Sequence, residues 1–274
     1  MTLTHDVAGH GPAVVLLHSS VCDRRMWDAQ WKVLADAGHQ VVRCDFRGFG
    51  ETPAEAVRPY EDVDDVLALL DELGIERAAL VGASHGGRVA VELAARSPER
   101  VSALVLLCAG MPGYEPGPAL KDFGKRENAL LEADDLDGAV ELNVDTWLGP
   151  DADELVRERV RGMQRHAFEV QLAAYYAAKE AAAGHVASGE GAPAAATDDA
   201  ADPPFDPAPV QAPALVVTGT HDVDDFRTMG ALLADGIPGA HRVELPWAGH
   251  LPSLERPDEV NDLLTGFLGG LSGR

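Results

Sequence analysis

Cysteine is scarce: Cys22, Cys44 and Cys108 are the three in a chain of 274 residues. An odd number without ligand spacing excludes a disulfide scaffold and a cysteine-based zinc site, so free thiols are expected. Positive charge is scarce too. The 22 Lys and Arg face 45 Asp and Glu, for a formal net charge of −23. A surface of that sign repels phosphate backbones and anionic lipid, which sets nucleic acid and membranes aside as partners. No run approaches the roughly 18 consecutive apolar residues of a membrane span. The start Met1-Thr2-Leu3-Thr4-His5-Asp6 lacks the basic-then-apolar layout of a secretion signal. The expectation is a cytoplasmic protein acting on a small molecule, with its oligomeric state unspecified. The histidines outside the turns discussed below, His5, His10, His39, His166, His185, His221 and His241, show no metal-ligating spacing, and no metal is expected.

What is present is an alternation of short apolar runs and amphipathic stretches. Strands are predicted near 13–18, 40–45, 78–83, 101–108, 214–219 and 240–245, with helices near 24–37, 59–73, 86–96, 223–235 and 257–268. This is the rhythm of helices packed on a mostly parallel sheet. The run at 78–83 is apolar throughout, as a strand covered on both faces should be. Val63, Val66, Leu67 and Leu70 recur at spacings of three and four among acidic residues, as on a surface helix.

The sequence Gly82-Ala83-Ser84-His85-Gly86 sits where the central strand meets the following helix. A serine on so sharp a turn is held in a strained backbone conformation with its hydroxyl clear of the sheet, and flanking glycines avoid collisions. Such a serine needs a base to take its proton and a carboxylate to hold that base in the right tautomer. Asp222 follows the run Ala214-Leu215-Val216-Val217-Thr218-Gly219, and His250 follows the run ending at Leu245. Open α/β sheets build their sites at such strand ends. Asp224 and Asp225 are rivals to Asp222, but acidic residues there suit the first turn of a helix. The strand before, ending at Cys108, offers no carboxylate at its turn. Cys22 is a rival nucleophile that would leave the Ser84 turn unexplained.

With these residues the chain resembles the α/β-hydrolase superfamily. Val14-Val15-Leu16-Leu17-His18-Ser19-Ser20 looks like the family's strand and oxyanion loop. Cys44-Asp45-Phe46-Arg47-Gly48-Phe49-Gly50 looks like its D-x-R-G-x-G turn, and Ala248-Gly249-His250 like its histidine loop. The order Ser84, Asp222, His250 is the family's order. The resemblance spans about 12–110 and 213–270. It implies an α/β fold with a mostly parallel sheet flanked by helices, formed by 1–110 and 213–274. A helical cap, 111–212, would be inserted after the strand ending near residue 108. It further implies an oxyanion hole from the backbone N–H groups of His85 and Ser20, where losing one donor typically costs ~2.7–4 kcal/mol. The family usually has glycine after the histidine of the oxyanion loop, and this chain has Ser19; a tolerated small residue, a narrowed substrate approach or an added donor near the oxyanion would each fit. His18 is expected to be structural, His85 to donate its N–H or line the pocket, and Asp45 and Arg47 to make structural pairs.

Within the cap, helical patterning predicts packing over 118–181. The Ala, Gly, Pro and acid-rich stretch 181–212 reads as a flexible loop. Trp27, Met111, Tyr114, Trp147 and Phe168, with Ser19, are the residues expected at a pocket wall. The implied function is a cofactor-independent serine hydrolase of a small, mostly apolar ester, lactone or thioester, working through an acyl-enzyme. A carbon–carbon bond hydrolase of a diketone-type substrate and a ligand sensor with little turnover are the alternatives.

Overall fold

The computed structural model describes residues 2–54, 60–188 and 204–271. The chain runs β1 (His5–Ala8), β2 (Ala13–Leu17), a 3-10 turn at Arg24–Trp27, α1 (Asp28–Asp36), β3 (Gln40–Cys44), α2 (Asp62–Glu72), β4 (Ala78–Ala83), α3 (His85–Arg96) and β5 (Val101–Leu107). Three helices come next, α4 (Pro118–Glu132), α5 (Leu136–Trp147) and α6 (Glu154–Ser188), and then β6 (Ala214–Gly219), α7 (Asp224–Gly236), β7 (His241–Leu245), α8 (Pro252–Glu255) and α9 (Pro257–Leu271).

The seven strands lie in the order β1-β3-β2-β4-β5-β6-β7. All pair in parallel except β1, which runs antiparallel to β3 with His5 opposite Cys44. That first strand is not among those expected from the sequence: four residues, His-Asp-Val-Ala, carry no usable alternation, and their partner strand defines them. Successive β2 side chains enter opposite layers. Val14 and Leu16 join one apolar cluster with Leu34 of α1 and Val260, Leu264 and Leu268 of α9. Val15 and Leu17 join another with Val66 and Leu70 of α2 and Val89 and Leu93 of α3. Burial on both faces explains why β2 and β4 read as unbroken apolar runs.

Strand order reverses between β2 and β4, a topological switch point where the ends of parallel strands open a crevice. The two loops there touch, since Gly86 N–H donates to His18 O at 3.0 Å. A Cβ on Gly86 would lie 2.2 Å from Leu17 O, and one on Gly82 would lie 2.3 Å from Gly86 O. Both obstacles are backbone and cannot swing aside. Gly86→Ala is therefore expected to destabilise by about 1–3 kcal/mol or more through overpacking, read as a lower thermal midpoint; an unshifted midpoint would contradict this contact.

The insertion between β5 and β6 is helical, as its position implied. Helices α5 and α6 lie against each other, with Arg157, Arg161 and Arg165 paired to Asp145, Glu141 and Asp137. The four-residue steps run in opposite senses, which sets an antiparallel register, although exposed pairs of this kind add little stability individually. Phe168 packs with Ala139 and Val140 in a small cluster of the insertion's own. Helix α6 is fastened to the sheet domain by Arg159 to Asp28, by His166 Nε2–H to Gly50 O at 2.7 Å and by Gln171 Nε2–H to Gly48 O at 3.1 Å.

The 181–212 stretch differs from the expected loop at both ends. Helix α6 continues to Ser188. At the other end Val210 and Ala212 are buried, and Phe205 packs against the same cluster. Those few apolar side chains re-anchor the chain just ahead of β6. Residues 189–203, the centre of the predicted flexible segment, lie outside the described residues.

Candidate active site

Ser84 follows β4 directly and precedes α3, with φ 51° and ψ −114°. For a residue with a Cβ this is sparsely populated backbone. Its N–H donates to Leu107 O, and its carbonyl accepts from Arg88 N–H and Gly110 N–H, each at 3.0 Å. Three bonds to two neighbouring segments hold the turn. Serine at a helix start usually bonds its hydroxyl to the first-turn amides, but Ser84 makes no such cap bond.

Asp222 and His250 come together at the ends of β6 and β7. His250 Nδ1 lies 2.8 Å from Asp222 Oδ2, with both side chains almost wholly buried. A carboxylate only accepts, so Nδ1 carries the proton and Nε2 is left as the acceptor. The second oxygen of Asp222 accepts from Val223 N–H at 2.7 Å. Phe226 and Trp147 pack on the imidazole, with ring centroids 4.2 Å and 4.7 Å away. The apolar walls exclude water from the pair and strengthen its electrostatics.

The rivals of Asp222 are placed elsewhere. Asp224 is exposed and paired with Arg227. Asp225 is buried and accepts from Gly117 N–H at 2.5 Å, holding the entry to α4.

Cys108 sits between the serine and acid strands, at φ 46°. Its thiol lies 3.6 Å from Gly249 O. Burial, and next the charge of Asp222, push that thiol well above its usual range, so it stays protonated. The ligating atoms of Cys108, Asp222 and His250 fall within 4.8 Å of one another. Two of these groups already bond each other directly, and the third is a neutral thiol, a poor donor set for a resident cation. Cys22 is buried, with its thiol also raised by burial.

Ser19 and Ser20, in the loop after β2, occupy the other side of the switch point. Ser20 is exposed, and its backbone N–H, like that of His85, has no partner among the described residues. Ser19 is buried and turned inward: its N–H donates to Met26 Sδ at 3.4 Å, and its hydroxyl accepts from Val21 N–H at 3.5 Å. The His85 ring turns away from the serine, with Nε2 3.0 Å from Asp62 Oδ2 and an edge contact to Phe46. The positive end of the α3 dipole points at Ser84.

His18 stitches this loop to β3. Its Nδ1–H donates to Ser19 O at 2.8 Å, and its Nε2 accepts from Phe46 N–H at 3.0 Å. Both bonds require the neutral ring, and burial lowers its pKa from 6.5. The unfolded chain thus binds this proton near pH 6.5, whereas the folded chain resists it to lower pH. Stability supplied by neutral His18 is complete above about pH 6.5 and is lost as pH falls below it. Thermal midpoints measured from pH 7 to 5.5 should drop less steeply in His18→Gln than in the wild type; equal slopes would contradict this assignment.

Asp45 and Arg47 do not pair with each other. Asp45, fully buried, accepts from the N–H groups of Arg24 and Glu51 and from the Arg24 guanidinium. Gly50 has φ 51°, and a Cβ there would strike the Asp45 carboxylate at 2.2 Å. Arg47 makes a two-point bond to Asp65 at 2.6 Å for each contact. Met111 and Tyr114 line a cavity of about 280 Å³ with Arg88, Gly110, Phe226 and Met229. Trp27 is fully buried in the core. Trp147 donates its indole N–H to Asn143 Oδ1 and faces His250.

Glu255, which sequence reasoning did not single out, lies against the His250 loop. Its carboxylate accepts from the N–H groups of Gly249 and Leu251, on either side of His250, and from Gly149 N–H beyond α5. The only sequence signal was an acid five residues past a histidine, and nothing in it pointed to Gly149.

A serine on a sharp strand-to-helix turn, with an acid–histidine pair two and three strands along the same sheet edge, defines a class of hydrolase on a doubly wound sheet. The chain belongs to the alpha/beta hydrolase family, whose model matches residues 14–263. It is 27% identical over 97% of its length to a putative carbamate hydrolase from Azorhizobium caulinodans, covering 95% of that protein. An AB hydrolase superfamily protein from Bacillus subtilis is 31% identical over 149 residues, 52% of each chain. Among solved structures, the enol-lactonase from Burkholderia xenovorans LB400 superposes with a TM-score of 0.74 at 26% identity, over 97% of this chain and 96% of the other. No helix among the described residues is long and apolar enough to cross a membrane.

Proposed function

We propose that the protein is a cofactor-independent serine hydrolase of a small, mostly apolar ester or lactone, with Ser84, Asp222 and His250 as its catalytic triad. The observation that carries this reading is the buried 2.8 Å bond from His250 Nδ1–H to Asp222, which leaves Nε2 as a base at the sheet edge bearing Ser84. His250 Nε2 takes the Ser84 proton as the oxygen attacks the carbonyl carbon. The tetrahedral oxyanion is held by the N–H groups of His85 and Ser20, and the leaving group departs with the proton from His250. Water, deprotonated by the same histidine, then hydrolyses the acyl-enzyme and restores Ser84. The Ser84 hydroxyl makes no cap bond to the first turn of α3, and a serine–base bond often closes only once substrate is bound.

The cavity beside Gly110, whose walls combine Met111, Tyr114, Leu120, Phe226 and Met229 with Arg88 and Glu115, is of a size for a small molecule and shares Phe226 with the packing around His250. Activity resting on a small-molecule pocket also accords with the enol-lactonase neighbour. A second reading, cleavage of a carbon–carbon bond, draws support from a 2-hydroxy-6-oxo-6-phenylhexa-2,4-dienoate hydrolase of Comamonas testosteroni, 34% identical over 39% of each chain. Product analysis on a panel of acyl esters, lactones, carbamates and ring-opened diketones tests both. Ester or lactone turnover dependent on Ser84 is expected, and turnover of the diketones alone would replace the first reading with the second.

A further inference from the structure

We propose that Glu255 is a positioning residue for His250, and that through it the cap insertion forms part of the catalytic frame. This inference rests on the reading of His250 as the base. Oε1 of Glu255 accepts from Gly249 N–H at 3.1 Å and from Leu251 N–H at 3.2 Å. Oε2 accepts from Gly249 N–H at 3.0 Å and from Gly149 N–H at 3.2 Å. One carboxylate therefore grips the peptide units before and after the histidine, and a third unit 106 residues away in sequence.

An ordinary helix cap explains only part of this. Glu255 ends the four-residue α8, whose N-cap residue is Leu251, and a carboxylate reaching back to an N-cap N–H is a familiar device. The bonds to Gly249 and Gly149 lie outside that helix. They are matched by a second tie at the same place, His250 N–H to Trp147 O at 2.9 Å, and by the Trp147 ring against the imidazole. The space is fully committed, since a Cβ on Gly149 would lie 2.4 Å from Glu255 Oε2 and one on Gly249 would lie 2.3 Å from Gly149 N. His250 is thus held through its side chain by Asp222 and through its backbone by Glu255 and the end of α5. Burial raises the Glu255 carboxyl pKa, while the backbone donors and the neighbouring His250 pull it back. Bonds from N–H to a charged carboxylate are the strong kind and hold geometry well.

The test is Glu255→Gln in the full chain. The amide keeps the shape and one acceptor oxygen, but it turns an NH₂ group toward N–H donors that the second oxygen had satisfied. With p-nitrophenyl acetate as substrate, kcat should fall by about ten- to a hundredfold because a base displaced by a fraction of an ångström transfers protons poorly. KM should stay within about threefold, and labelling of Ser84 by a fluorophosphonate should slow in proportion to kcat. With kcat expressed per active site titrated by the fluorophosphonate, a loss that disappears on this normalisation would assign Glu255 to stability alone and overturn the proposal, as would kcat per site within twofold of wild type. Should Glu255→Gln fail to fold, Glu255→Asp keeps the charge but draws it back by one methylene, and the same selective loss of kcat is expected; its absence overturns the proposal. A wild type that neither labels nor turns over would instead overturn the hydrolase reading on which the inference stands.

Discussion

Ser84→Ala is expected to abolish ester and lactone turnover and labelling by a fluorophosphonate, with the circular dichroism spectrum and thermal midpoint close to wild type. Alanine carries the same Cβ through the φ 51° turn, so the backbone bonds to Leu107, Arg88 and Gly110 are unaffected. What is removed is the attacking oxygen. Residual rate would come only from binding and from the oxyanion donors, so the fall should be several powers of ten. The probe should label Ser84 in the wild type. Labelling at Cys22 would overturn the assignment, although that thiol is buried and raised in pKa.

The second large effect is expected at the acid. Asp222→Asn should lower kcat by about 10⁴, the size of the comparable change in a serine protease, because an amide that donates to Nδ1 favours the tautomer with its proton on Nε2. That tautomer cannot accept from the serine. Asp224→Asn should leave kcat within about twofold, since Asp224 is exposed and bonded to Arg227. Steady-state kinetics on the two purified variants decide the point, and equal losses would remove Asp222 from its proposed role. Asp225 makes a poor control because it secures Gly117 at the entry to the cap.

The parts of the molecule that could be read from sequence are those that local chemistry dictates. The run Ala78–Ala83 is apolar because both its faces are covered, and Gly82 and Gly86 stand where backbone leaves no room for a Cβ. Ser84, Asp222 and His250 could be singled out as candidates because each comes after a strand, and parallel strands bring their ends to one edge. The hidden parts depend on partners distant in the chain. The strand His5–Ala8 exists through its pairing with β3. Phe205 and Val210 dock a segment whose composition suggested only a loop. Trp147, expected at a pocket wall, lies against the histidine ring, and Asn143 orients it. Glu255 carries no local signal that distinguishes it among the acids of this chain, and its bonds to Gly149, Gly249 and Leu251 set it apart.

The tie from Trp147 O to His250 N–H bears on modularity. Exchanging lids between relatives to change selectivity would by default use cuts at 110 and 213, where the insertion leaves and rejoins the sheet. Such a graft would discard the peptide that seats the histidine. Junctions placed after Gly149 and before residue 204 would keep α5 with its host and replace only the α6 half of the insertion, so a donor helix could bring new walls without unseating His250. The unit of inheritance in such chimeras is then the sheet together with the first half of its insertion.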